Sequence, residues 1–217
     1  VYFDWITNIQ FVYCLVFIYF TMMVIMGLVA FSVRKPQFHL KFPKEKKEVD
    51  EETPKSLPES PYGFTKWIGE QIIQDFFQSS PEFSLMNLRY FNPVGAHSSA
   101  KIGEFPLGKP SNLLPFITQT AIGKQDCLTV FGNDYPTRDG SCVRDYIHVM
   151  DLAEAHVQAI QFLSNQTQGC LEAVNVGTGK GSSVLEVISA FERATGMVVP
   201  LQMGSKRPGD VMAVFAN

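Results

Sequence analysis

The chain has 217 residues, with 18 Lys+Arg against 21 Asp+Glu and a net charge of −3. That length can bury a sizeable core, and the near-neutral balance excludes a general nucleic-acid binder built on a basic surface. A hydrophobic content of 46% excludes wholesale disorder. The four cysteines, Cys14, Cys127, Cys142 and Cys170, show no C-x-x-C spacing, and His39, His97, His148 and His156 are equally scattered. No disulfide framework or metal site is expected, and the thiols read as those of a reducing compartment.

Charge is unevenly placed. Asp4 is the single charge in residues 1–33, and no charged residue occurs between Ile6 and Val33. A helix over 6–33 would reach about 42 Å, more than a hydrocarbon core of about 30 Å. Arg34 and Lys35 follow at once, with Lys41, Lys44, Lys46 and Lys47 behind them. Residues 1–40 are therefore read either as a membrane span whose C-terminal side is cytoplasmic or as a segment misjoined to the rest. A chain that opens on Val1 is expected to be incomplete or processed.

Residues 34–58 are rich in Lys, Glu and Pro, so 41–58 reads as a linker before a domain over 59–217. Helical periodicity runs over 62–77 through Ile68, Ile72, Ile73 and Phe76, with Pro61 suited to the first turn. Residues 84–91 alternate as a strand, and Asn92-Pro93-Val94-Gly95 reads as a turn. A helix is expected over 113–122 and short strands over 127–131 and 143–149. Asp151 can cap a helix running to about 163. A strand over 173–176 enters the glycine-rich Gly177-Thr-Gly-Lys-Gly181, read as a tight turn, and Ser183 with Glu186 forms a capping-box pattern opening a helix to about 195. This alternation predicts an α/β parallel-sheet architecture.

Three groups of residues could carry chemistry. Tyr62 and Lys66 are four apart, so on a helix they share one face. A cation beside a phenol favours the phenolate, which makes proton abstraction feasible, although the same spacing is common on solvated helix faces. Arg89-Tyr-Phe-Asn-Pro-Val-Gly-Ala-His97 places a polar segment at the carboxyl end of a strand, where open α/β sheets hold ligands. Read alone, it is equally an Asx-type turn. Arg144 and Arg207 would suit a diphosphate, which guanidinium binds bidentately; the alternative for Arg144 is a pair with the adjacent Asp145.

Taken in series, Ser60-Pro-Tyr-Gly-Phe-Thr-Lys66, Arg89-Tyr-Phe-Asn-Pro-Val-Gly-Ala-His97, Ser111-Asn-Leu-Leu-Pro115, Phe131-Gly-Asn-Asp-Tyr-Pro136, Val143-Arg-Asp-Tyr-Ile-His-Val149, Val174-Asn-Val-Gly-Thr-Gly179 and Arg207-Pro-Gly-Asp210 resemble the UDP-glucose 4-epimerase family over roughly residues 50–217. The resemblance implies the C-terminal part of an extended short-chain dehydrogenase (Rossmann-like) fold, an NAD cofactor, and interconversion of UDP-glucose and UDP-galactose through a 4-keto sugar in galactose metabolism. It implies that Tyr62 takes the proton from the sugar 4-hydroxyl, that Lys66 holds the nicotinamide ribose, and that Phe91 lies by the nicotinamide. It further implies that Asn92, Asn112, Leu113, Phe131, Arg144, Arg207 and Asp210 bind the UDP-sugar.

The family's glycine-rich dinucleotide loop, its acidic ribose-binding residue and the Ser/Thr before the tyrosine have no counterpart in this sequence. Ser111 stands where Asn is frequent, and Phe215 where Tyr is usual. The expectation is thus a partial epimerase, an isomerase whose fragment is inactive alone and whose family homodimer is open here. The alternatives are a related enzyme such as a UDP-arabinose 4-epimerase, or a membrane-tethered module that binds UDP-sugars without catalysis.

Overall fold

The computed structural model describes residues 48–53, 58, 60–207 and 209–217. The apolar run over 6–33 and the whole of 1–40 lie outside the described residues. Among the described residues no helix is long and apolar enough to cross a membrane.

In chain order the elements are β1 (Glu48–Val49), α1 (Pro61–Ser79), β2 (Leu85–Tyr90), β3 (Asn92–Val94), α2 (Leu113–Ala121), β4 (Leu128–Phe131), β5 (Val143–His148), α3 (Val149–Ser164), β6 (Leu171–Val176), β7 (Gly181–Ser183), α4 (Val184–Thr195), β8 (Leu201–Gly204) and β9 (Ala213–Ala216). The α/β expectation holds. One sheet runs β1-β9-β5-β3 with β7 added to β5, and β2 pairs with β6 and β4 with β8 in two further sheets. Every pairing is parallel except β5 with β7.

The helices begin where local chemistry dictates. Ser60 caps α1 by accepting from the Gly63 N–H, with Pro61 in the first turn, where its missing N–H costs nothing. Ser183 and Glu186 form the expected capping box of α4, which ends at Gly196 in the left-handed region (φ 70°). For α3 the expected cap is corrected: His148 caps it through Nδ1 accepting from the Met150 N–H, and Asp151 sits inside the first turn, where a carboxylate complements the helix dipole.

A second correction concerns Asn92-Pro93-Val94, which forms β3 rather than a turn and pairs with β5, Asn92 opposite Tyr146. Proline is tolerated there because β3 ends the path of its sheet, so the absent N–H breaks no central ladder. The chain turns one residue later, at Gly95 (φ 90°), where a Cβ would stand 2.5 Å from the His148 ring. Glu48–Val49, inside the stretch read as a linker, pairs with β9. Strands β1, β7, β8 and β9, each two to four residues long, add to the expected elements.

The main core joins α2, β4 and α4 through Ile117, Leu128, Val130, Ile188 and Val199, with Leu113, Phe116 and Phe191 packed against it. Each such burial is worth about 1.5–3 kcal/mol. This packing holds the first turn of α2 against β4, and both elements form walls of the site.

Candidate functional site

Strand β5 alternates buried and half-buried residues. Val143, Asp145 and Ile147 are buried, while Arg144 and Tyr146 are half-buried and line a cleft. The cleft has a volume of about 500 Å³, and its other walls come from β3, the first turn of α2, β4 and the segment carrying Arg207 and Asp210. Asn92, Asn112, Leu113, Phe131, Arg144, Arg207 and Asp210, the seven residues expected around the UDP-sugar, all line it. Five separate stretches of sequence supply them.

The charges inside are organised around Asp210. Its carboxylate accepts from Arg144 at 3.1 Å and from Arg207 at 2.9 Å, and the Arg207 guanidinium lies 4.9 Å from the centre of the Phe131 ring. The alternative reading, a pair of Arg144 with adjacent Asp145, is not what the fold makes. The pleat sends Asp145 to the opposite face of β5, and Arg144 reaches across to Asp210 instead. Asn112 stands at the N-cap of α2, but its side chain donates to Glu104 at 2.7 Å rather than capping the helix. The first turn of α2 therefore opens onto the cleft without a side-chain cap, a backbone arrangement suited to an anion.

Asp145 is fully buried. It accepts from the Thr178 N–H and hydroxyl, the Gly179 N–H and the Ala216 N–H, tying β5 to the turn after β6 and to β9. Gly177 is required beside it, since a Cβ there would lie 2.5 Å from Asp145 Oδ2. Nothing in the sequence around Asp145 signals a clamp to Thr178, 33 residues away. Tyr146, also missed, lines the cleft beside Arg144, and burial pushes its phenol up to about 12, against a smaller opposing pull from Arg144.

The remaining expected residues lie elsewhere. Tyr62 and Lys66 share a face of α1, with Lys66 Nζ 5.3 Å from the Tyr62 ring centre and Tyr62 68% exposed. Neither lines the cleft. Glu70, one turn on, forms a two-bond ion pair with Arg89 of β2 at 3.0 and 3.1 Å, which anchors α1 to that strand. Phe91 sits where the chain leaves β2 for β3, its N–H donating to Val176 and its ring beside Gly177. A second hollow of about 610 Å³ beside Arg138, Lys180 and Phe215 contains none of the expected residues.

The NAD dependent epimerase/dehydratase family model matches residues 40–177, more than half of the chain. The chain belongs to that family. Among individual relatives, it is 53% identical over 160 residues to UDP-glucose 4-epimerase 4 of Oryza sativa subsp. japonica, covering 74% of this chain and 43% of that protein. It is 52% identical over 158 residues to the UDP-glucose 4-epimerase of Bacillus subtilis (strain 168), covering 73% and 46%. Two solved structures extend the likeness to the fold. A UDP-glucose-4-epimerase from Stenotrophomonas maltophila with bound NAD and formylated UDP-arabinopyranose matches at 51% identity and a TM-score of 0.73, over 76% of this chain and 49% of that one. The UDP-glucose 4-epimerase from Bifidobacterium longum in complex with NAD+ and UDP matches at 44% identity and a TM-score of 0.74, over 80% and 51%. The chain thus spans about half the length of the epimerases it matches.

Proposed function

We propose that this chain is the sugar-nucleotide-binding part of a UDP-glucose 4-epimerase, with UDP-glucose and UDP-galactose as ligands. The observation that carries the reading is the convergence of Asn92, Asn112, Leu113, Phe131, Arg144, Arg207 and Asp210 on one cleft. Arg144 and Arg207, held by a shared carboxylate, would present guanidinium donors to a diphosphate, and the uncapped first turn of α2 would add backbone N–H groups. The Phe131 ring offers an apolar face for the uracil or the sugar.

NAD is the cofactor of this reading, and the residues present fit one end of it. The Tyr62 hydroxyl and the Lys66 ammonium on one face of α1 would hold the nicotinamide ribose, with Phe91 by the nicotinamide. The other end finds no cradle in the glycine-rich turn after β6, because the Thr178 and Gly179 N–H groups are already taken by Asp145. When bound, NAD would accept and return a hydride at C4 of the sugar. Tyr62 would take the proton from the 4-hydroxyl and return it, with Lys66 one turn on along the same face. The chain alone is expected to turn over little.

Calorimetry on this chain tests the reading. UDP should bind, NAD should bind weakly or not at all, and Arg144→Ala should weaken UDP about tenfold or more, as loss of a charged hydrogen-bond donor does. Absence of UDP binding at millimolar concentration would refute it. Membrane attachment through residues 6–33, with the enzyme domain on the cytoplasmic side, is the further part of this proposal that rests on hydropathy. Clean extraction by alkaline carbonate would remove it.

A further inference from the structure

The two arginines of the cleft supply less charge than their number suggests. Both donate to Asp210, so the trio carries a single net positive charge. Glu104 also lines the cleft, accepting from Asn112, and its negative charge cancels what remains. A cleft of zero net charge is a poor receptor for a dianion in water, since each charged group must give up hydration on binding.

Lys109 changes that balance. It lines the same cleft and forms no ion pair with any described carboxylate, while its Nζ lies 5.5 Å from the centre of the Phe116 ring, itself part of the lining. Gly108 adopts a left-handed conformation (φ 85°), and the following Pro110 is buried. The ammonium lies against an aromatic face of the cleft lining, free to exchange that contact for an anion.

We propose that Lys109 is a third cationic contact for the diphosphate of a nucleoside diphosphate ligand, the residue that gives the cleft its net positive charge. This rests on the reading of the cleft as a UDP-sugar site. A lone lysine between Gly108 and Pro110 has no spacing in the sequence that points to a ligand.

The test compares UDP with uridine, which keeps the base and ribose and lacks the charge, by calorimetry on this chain at low and moderate salt. Lys109→Met keeps the aliphatic stem over Phe116. It should weaken UDP about threefold to fivefold, the size of one exposed ion pair, leave uridine unchanged, and flatten the salt dependence of UDP binding. Lys109→Arg should restore both affinity and salt dependence. Equal losses for UDP and uridine would show that Lys109 only packs on Phe116 and overturn the proposal. UDP binding by wild type and Lys109→Met with the same affinity would overturn it while leaving the UDP-sugar reading intact. Failure of UDP to bind the wild-type chain would overturn both.

Discussion

Replacing Asp145 by Asn keeps the volume of the side chain and changes one acceptor oxygen into a donor. In the structure the Thr178 N–H is shared by both oxygens, at 2.9 Å from Oδ1 and 3.0 Å from Oδ2; Oδ1 also accepts from the Thr178 hydroxyl at 2.6 Å, and Oδ2 from Gly179 at 3.0 Å and Ala216 at 3.2 Å. Asparagine can aim its oxygen at Gly179 and Ala216, and the Thr178 hydroxyl can rotate to accept from the new amide. The Thr178 N–H cannot rotate; it keeps the oxygen at the Oδ2 position and meets an N–H donor in place of its other acceptor. Each of the three backbone N–H bonds then passes from a charged to a neutral acceptor, a loss of about 1 kcal/mol apiece, and the new amide repels the Thr178 N–H. The expected loss is about 2–4 kcal/mol, a large share of the stability of a domain this size. Urea denaturation followed by circular dichroism reads it directly as a lower midpoint at unchanged slope. Because Asp145 joins β5, β9 and the turn after β6, the loss should appear as one cooperative transition. A shift below about 0.5 kcal/mol, the range of an ordinary surface substitution, would refute the claim that this carboxylate clamps the three segments.

Two pH limits follow from half-buried groups. Burial tends to raise the Asp139 carboxyl, but hydrogen bonds from Ser183 and Ser141 and the charge of Arg138 outweigh it, so the net shift is downward. Its stabilisation is therefore present above the ordinary carboxylate range and is lost as pH falls through the depressed value; Asp139→Asn should lower thermal stability at neutral pH and flatten the decline below about pH 4. Tyr146 is shifted the other way, raised from 10.0 to about 12 chiefly by burial. The folded state holds this proton more tightly, so stability is intact below about pH 10 and falls by about 1 kcal/mol by pH 11. Tyr146→Phe should remove that portion of the alkaline decline in denaturation curves taken at pH 9 and pH 11, and an unchanged decline would show that the phenol is not desolvated.

Local signals in the chain were strong wherever one element is self-contained. Ser60-Pro61, Ser183 with Glu186, and the 3.6-residue spacing of Ile68, Ile72 and Ile73 announce α1 and α4, because caps and helix faces depend on neighbours within a turn. The seven cleft residues were legible only through an ordered series of motifs resembling a known family; no periodicity links Asn92 to Arg207. Strand β3 was misread because Pro93 and Gly95 look like a turn. Whether Pro93 is tolerated in a strand depends on its being at an edge, a property of the sheet rather than of the tetrapeptide.

Sequence by itself determined the α/β class, the starts of α1 and α4, the shared face of Tyr62 and Lys66, and the family. All of these rest on spacing within a turn or on the order of motifs. Tertiary structure alone decided which charges meet. Arg144 pairs with Asp210, 66 residues away, and not with adjacent Asp145, because successive side chains of a strand point to opposite faces. The same pleat buried Asp145 among backbone donors from β9 and the turn after β6, and the folding of Lys109 and Glu104 onto one cleft set its net charge. A balance of 18 basic against 21 acidic residues could exclude a nucleic-acid binder, but the sign of one cleft depends on which few of those charges the fold collects.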